Sequence, residues 1–591
     1  MEESSEKHIG SQSKSIGAPP RIQAPGVPSS LFRGIFKSDK SEGFHFSRCD
    51  LILVLLLFLV SFSAVIFSGK GYGLSWDEAY YYEPSRTAAN WLKQVIFSSD
   101  RPVSSAEISA SWEKISELPA VVKISLGASS LLLEKFIGPL ASFRLPSALA
   151  FSLTLVLIYA IMARPYGRAP AVFASLAYGF MPRIFAHAHI AASEAITVFI
   201  SLLVVFCFLK GLKSSRWSLV LAVVFGLALN TRIHCFFLPF ILLPWAHLYH
   251  RSRYVNNFFA MVFLSPVVWI ATWPWLWHDT AARILQYVYF FAQHQYTALY
   301  YFGQKYNYGS NLAPWHYPLV QTLLTIPPIT LVFILIGTGS AFYKARKKPL
   351  LVLFLWGAFF TLLVSSLPSS PKYDGIRLFI TSFVFLSLVS GAGFALVSRT
   401  CFSMIQKYSS RIPPLAGVKN APIRCKAIVS FICLFLLLAG GTWAIIRSHP
   451  YSLSYYNIFI GGISGAFKKG LETTYWGEAV NNRVLRELNA LPKGARIKTL
   501  ALHEKVFTLH KQWGKLRSDL QINPDPPPFD YHILLVRKGF FARPEWRLYS
   551  KWRRLKVFRF HDVPLVILFK TGEEFEKQWR GFSIQKEART R

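Results

Sequence analysis

Long apolar runs divide the chain. Residues near 50–69, 145–163, 169–186, 190–209, 217–231, 233–249, 256–276, 317–342, 349–366, 377–398 and 427–446 form about eleven stretches almost free of charge. A helix needs about 20 apolar residues to cross a bilayer. The pattern therefore predicts an all-α polytopic membrane domain of about 11 transmembrane helices over residues 49–449. The runs within 169–209 and 217–249 are short and interrupted, which leaves the exact count open. The first run lacks a small-residue cleavage site and a short signal-type core, so it reads as a retained span. Ahead of it, residues 1–48 are rich in Ser, Pro, Gly and Lys with no apolar period and read as a disordered cytoplasmic tail. After residue 450 the pattern becomes that of a soluble domain. Ile533–Val536 and Val563–Phe569 read as buried strands, and 474–489 as a helix. Residues 450–591 are expected to form a small α/β extramembrane domain.

The basic residues orient this arrangement. Arg164, Arg168, Lys210, Lys213, Arg216, Arg251, Arg253, the 343–348 cluster and the 399–426 loop fall in alternate loops. With the N-terminus cytoplasmic these are inner loops, as the positive-inside rule requires. An odd number of spans then places 450–591 outside the cytoplasm. The composition agrees: 52% of the 591 residues are hydrophobic and only 16% charged, with a mean hydropathy of +0.33. A soluble domain carries about 25% charged residues. The net charge of +35 lies between apolar spans and in the C-terminal region, where it sets orientation and attracts anionic lipid, so no nucleic-acid partner is expected. The six cysteines lack CxxC spacing and encode no disulfide framework or zinc site.

The acidic residues carry the functional signal. Only 12 of the 30 Asp and Glu lie between residues 49 and 449, and eight of these fall in the first outer loop, about 70–143. Asp50 opens the first span. The remaining three, Glu194, Asp279 and Asp374, each fall at the outer end of a span. Carboxylates near membrane depth face a cavity, a partner or an ion, so the outer side is where a site is expected. Asp77-Glu78, directly after the first span, suits general-base or metal work, and equally suits a helix N-terminus. His187 and His189 precede Glu194 and are weak candidates for a divalent metal; a polar pocket is the commoner use of such histidines. Arg144, Arg232, Lys372 and Arg377 lie on the same side and could hold an anionic group, although any one of them alone could snorkel to the interface. Trp275 and Trp277 form an aromatic belt or a substrate-contacting wall, with Tyr373 and Asp374 as further candidate contacts.

These strings resemble a known family. SWDEAYY after span one, RLPSALA before span two, MPRIFAHAHIAASEA, GLALNTR, WPWLW, KYDGIRLF and HPYSLSYYNIFIGGISGA leading into TYWGEAVNN occur in an order similar to that of GT-C membrane glycosyltransferases. The relatives include protein O-mannosyltransferases and lipid A aminoarabinose transferases. The resemblance implies a GT-C fold and a polyprenyl-phosphate-linked sugar as donor. It also implies Asp77 as the acidic residue that activates the acceptor, with Glu78 its neighbour. Glu194 stands where relatives usually have Asp, and Arg232 where they often have Lys against the donor phosphate; Arg144 and Arg377 are further candidates. The acceptor is a lipid, glycan or protein on the outer face, and a bacterial inner membrane is the expected location. No nucleotide-binding motif is present, which agrees with a lipid-carried donor. Two other readings stay open: a transporter or flippase of an anionic lipid, and a non-catalytic scaffold on the same fold.

Overall fold

The apolar runs all become helices in the computed structural model, which describes residues 47–97, 103–293, 298–307, 312–343, 347–408, 421–572 and 575. The expected tail 1–48 lies almost wholly outside the described residues, as do Asp100 and parts of the 343–348 and 399–426 clusters. The first helix, Arg48–Ser68, opens with a capping box between Ser47 and Asp50. Asp50 also accepts from Arg168 and from the Tyr159 hydroxyl, each at 2.7 Å, which pins this end to its neighbours.

Among the described residues seven helical runs are long and apolar enough to cross a membrane: Arg48–Gly71, Pro139–Tyr166, Ser193–Gly211, Ile233–Ala271, Pro349–Ser366, Thr381–Met404 and Ala427–Ser448. Ser215–Leu229 and Pro328–Tyr343 are shorter apolar helices. The expected span at 169–186 is a 12-residue helix, Arg168–Gly179, that ends before Pro182. At 1.5 Å per residue it reaches about 18 Å, short of a bilayer core of about 30 Å. Ile233–Ala271, in contrast, holds two of the expected runs; a positive φ at Arg251 separates its halves. Thr381–Met404 and Ser193–Gly211 are the most enclosed, with 83% and 72% of the apolar window buried, whereas Arg48–Gly71 and Ala427–Ser448 expose most of their surface. Those last two present Leu55, Leu59, Phe67, Phe431 and Phe435 outward, as lipid-facing helices do. Inside the bundle small residues allow close approach. A Cβ on Gly393 would stand 2.1 Å from the Phe333 carbonyl, and one on Gly337 2.3 Å from that of Val389.

The long loop after the first helix is mostly helical, with Trp76–Phe97, Ser105–Trp112 and Ala120–Ile137 packed together. A short hairpin, β1 (Leu299–Tyr301) and β2 (Gln304–Tyr306), follows in the later loop. The C-terminal region forms a five-stranded mixed sheet of β3 (Arg496–Leu500), β4 (Gln521–Ile522), β5 (Tyr531–Leu535), β6 (Arg554–Phe560) and β7 (Val563–Lys570), in the order β4-β3-β5-β7-β6. β3 runs parallel to β4 and β5, and β7 antiparallel to β5 and β6. Both strands read from the sequence are present. The helix read over 474–489 is not as expected: it begins only at Asn482, capped by the Asn481 side chain. Residues 471–481 are irregular, because Gly477 takes a φ of +85° and turns the chain.

This irregular segment joins the two parts. Gly73 N–H donates to the Glu478 carbonyl at 3.1 Å and Trp76 N–H to the Trp476 carbonyl at 3.0 Å. One buried apolar cluster contains Leu74, Trp76 and Ile196 together with Val480, Ile533 and Leu568. The sheet domain is therefore built onto the first long loop and the start of helix Ser193–Gly211. A Cβ on Gly73 would lie 2.4 Å from the Glu478 carbonyl oxygen. Gly73→Ala is expected to destabilise the fold by about 1–3 kcal/mol through overpacking, whereas Gly339→Ala, with nothing within 4 Å of the new methyl, leaves it unchanged. Thermal unfolding in detergent checks the pair.

Candidate active site

Three of the five carboxylates that the sequence sets apart, Asp77, Glu194 and Asp374, meet on one guanidinium. Arg377, at the start of a short 3-10 turn before Thr381–Tyr408, forms ion pairs with Asp77, with Glu194 at 2.8 Å and with Asp374 at 3.2 Å. Glu194 also pairs with Arg232. Asp77 and Glu194 each sit in the first turn of their helices, Trp76–Phe97 and Ser193–Gly211, where the helix dipole favours a negative charge. Arg232 follows the end of helix Ser215–Leu229, and Asp374 takes a positive φ of 55° in the turn before Arg377. The face of Arg377 lies 4.3 Å from the centroid of Trp476, so the sheet domain covers the cluster from one side.

Asp77 and Glu78 have opposite surroundings. Glu78 is fully buried and receives Arg144 Nε at 2.6 Å, Arg144 Nη2 at 2.8 Å, Ala191 N–H and Ser75 N–H, both at 2.9 Å. Arg144 further donates to the Tyr72 and Gly73 carbonyls. This pair fastens the loop to the bundle, and its donors and acceptors are taken. Asp77 instead meets, among the described residues, Arg377 and, at 3.4 Å, the Tyr81 hydroxyl. Burial, with Glu194 and Asp374 nearby, holds the Asp77 carboxyl above the usual carboxylate range despite the Arg377 charge.

The other residues singled out from the sequence fall in several places. Lys372 is buried and donates to the Leu367 and Ser370 carbonyls. Tyr373 is buried beside Asp374. Trp275 is buried, with its carbonyl bonded to Arg283, while Trp277 is half exposed and packs edge-on to Trp91. Asp279 lies apart from the cluster, exposed at the N-terminus of helix Thr280–Ala292. His187 and His189 do not converge as ligands. His189 engages the Phe185 carbonyl with one nitrogen and the Ser68 hydroxyl with the other, while His187 meets Trp476 edge-on. Among the described residues no three His, Cys, Asp or Glu groups are arranged to hold a metal ion, so these residues do not fit a divalent cation.

The C-terminal domain supplies residues that sequence reasoning did not single out. Arg537, just past β5 and fully buried, pairs with Asp374 at 2.9 Å and lies over Phe540. Glu472 accepts from Gly539 N–H at 2.9 Å near Arg537. Burial pushes the carboxyls of Glu472 and Glu478 up to about 7. The sequence signal was thin: one Arg immediately after a four-residue apolar strand core, and two Glu beside aromatic residues.

The similarity to other proteins falls on this architecture. At the level of class, residues 130–278, about a quarter of the chain, match the family described as dolichyl-phosphate-mannose-protein mannosyltransferase. That segment carries Arg144, Glu194 and Arg232 but not Asp77 or Arg377. No curated protein matches the chain significantly. Among solved structures the chain is similar to ArnT from Cupriavidus metallidurans bound to undecaprenyl phosphate, at 14% identity and a TM-score of 0.45 over 88% of this chain and 97% of that one. It is also similar to the Archaeoglobus fulgidus oligosaccharyltransferase tethered with an acceptor peptide, at 13% identity and a TM-score of 0.43 over 85% and 61%. Arabinosyltransferase EmbB from Mycobacterium smegmatis is a further neighbour, at 12% identity and a TM-score of 0.40 over 73% and 45%.

Two measurements follow from the geometry. Glu78→Ala leaves Arg144 buried and unpaired and is expected to cost about 3–5 kcal/mol of stability; thermal unfolding in detergent reads it. Glu472 and Glu478 bind protons more tightly folded than unfolded, so stability falls as pH rises from the ordinary Glu value of 4.5 to about 7 and is flat above. The double substitution Glu472→Gln, Glu478→Gln is expected to remove that slope in a pH series of unfolding midpoints.

Proposed function

We propose that this integral membrane protein is a glycosyltransferase that moves a sugar from a polyprenyl-phosphate donor to a hydroxyl of a lipid, glycan or protein acceptor. The observation that carries the reading is the convergence of Asp77, Glu194, Asp374, Arg232 and Arg377, from four separate segments, at one end of the bundle. The resemblance of the sequence motifs supports the donor class. The basic loops support a cytoplasmic N-terminus, with the site on the opposite face and a bacterial inner membrane as the location. The C-terminal region, with 26 basic and 13 acidic residues, favours an anionic acceptor.

Asp77 is the group suited to proton transfer, because its carboxylate is not locked by backbone donors as that of Glu78 is. With its proton affinity raised by burial it accepts the proton of the attacking hydroxyl more readily than an exposed Asp. The hydroxyl oxygen bonds to the anomeric carbon, the bond from that carbon to the phosphate oxygen breaks, and polyprenyl phosphate leaves with the electron pair. A single displacement of this kind inverts the anomeric centre. Among the described residues Arg232 pairs with one carboxylate, which leaves N–H donors for the phosphate. Arg377 masks Asp77 in the present arrangement; an incoming phosphate that draws on Arg377 frees the base as the donor binds. Glu194 and Asp374 hold the two guanidiniums in place.

The test uses the full chain in nanodiscs with radiolabelled polyprenyl-phosphate hexose, pentose and aminosugar donors and envelope extract as acceptor. Asp77→Asn is expected to lower the release of polyprenyl phosphate by about 10²–10⁴-fold. The wild type is expected to lose activity as pH falls through a limb above the usual carboxylate range. Equal release by both proteins, or binding without release by either, overturns Asp77 as base and favours transport.

A further inference from the structure

Arg183 differs from every other buried arginine named above. Arg144, Arg232, Arg377 and Arg537 each pair with a carboxylate. Arg183 is only 2% exposed, and no carboxylate among the described residues lies within ion-pair distance of it. Its Nε donates to the Tyr455 carbonyl at 2.9 Å and its Nη1 to the Tyr475 hydroxyl at 3.3 Å. The plane rests against the rings of Tyr456 and Tyr475, at 4.5 and 5.2 Å. Its Nη2 has no hydrogen-bond partner among the described residues. Room for this side chain is kept by Gly375, where a Cβ would stand 2.3 Å from Arg183 Nη1.

The guanidinium lines a crevice shared with His187, Asp374, Ile376, Tyr475 and Trp476. It is small, with room for a single water or one ligand oxygen and not for a sugar ring. Four buried polar atoms of its wall, Arg183 Nη2, His187 Nδ1, Trp476 Nε1 and Asp374 Oδ1, form no hydrogen bond among the described residues. Asp374, in the same wall, is already paired with Arg377 and Arg537. A buried charge without a counter-charge is costly, and a water satisfies the N–H but not the charge.

We propose that this crevice is an oxyanion subsite, in which Arg183 Nη2, seconded by His187 Nδ1, binds one oxygen of a phosphate or carboxylate group borne by a substrate. The subsite shares Asp374 and Trp476 with the surroundings of Arg377 but does not depend on Asp77 being a base. It transfers the anion-recognising role from Arg144, held by Glu78 and two carbonyls, and Lys372, held by two carbonyls, to an arginine with an Nη2 unpartnered among the described residues.

The full chain in nanodiscs of uncharged lipid is titrated with undecaprenyl phosphate, inorganic phosphate and glucuronate, reading the dissociation constant and the shift of the thermal unfolding midpoint. At least one probe is expected to bind and to raise the wild-type midpoint. Arg183→Gln weakens that probe by about tenfold or more, the scale of one charge-assisted hydrogen bond. Response to undecaprenyl phosphate alone assigns the oxyanion to a lipid-borne group, and response to either small anion assigns it to a soluble one. If Arg183→Gln does not fold, Arg183→Lys, which keeps the charge but loses the second Nη, is read in the same way. No binding of any probe by the wild type, or equal binding by wild type and the Arg183 variant, makes the crevice a water site and overturns the proposal. Failure of the two readings is distinguishable, because glycosyl transfer by Asp77→Asn reads the base and anion binding by Arg183→Gln reads the subsite.

Discussion

A guanidinium buried at the end of a helix bundle sets the terms for the rest of this structure. Arg377 is only 8% exposed, and a charge at that depth is tolerated only if opposite charges surround it. They come from the first turn of Trp76–Phe97, the first turn of Ser193–Gly211 and the tight turn at Asp374. Moving any one of those segments leaves a charge unpaired. The network therefore acts as a register pin for helices whose apolar faces would tolerate sliding. Arg537 extends the pin into the sheet domain through the second oxygen of Asp374, and the Trp476 ring covers the opposite side of Arg377. The domain after residue 450 is in this sense part of the charge cluster.

How much of this was legible follows from where charges can reside. An apolar span excludes them, so Asp77, Glu194, Asp374, Arg232 and Arg377 stand at span ends in the sequence, all on one side. Groups confined to one end of a bundle have little choice of partner, and these five did meet. Asp279 obeys the same rule and yet stays exposed at a helix N-terminus, because a span end fixes depth and not direction. The Arg144–Glu78 pair is not legible as a pair, since nothing in FRLPSAL or SWDEAYY states that they touch. Arg537, Trp476 and Glu472 were passed over for the same reason: their approach to the site is a matter of how the sheet docks. The helix expected over 474–489 failed at Gly477, whose positive φ diverts the chain just where it must reach the bundle. The short helix Arg168–Gly179 looked like a span because Pro182 interrupts an apolar run without making it polar.

The pair Asp77-Glu78 illustrates what a helix does with adjacent like charges. Consecutive side chains on a helix point about 100° apart, so Asp77 faces Arg377 while Glu78 is turned toward four N–H donors, two of them on Arg144. Glu78 is satisfied by groups that do not move, two backbone N–H groups and an arginine held by carbonyls. Asp77 shares its one strong partner with two other carboxylates. Because Arg377 has two other carboxylates to hold it, an anion reaching this cluster can compete for it at less cost than at the Arg144–Glu78 pair, and release of Asp77 need not break the fold. Stability and proton transfer are thereby assigned to neighbouring residues of the same type, and the assignment rests on which way each points, not on the carboxyl groups themselves.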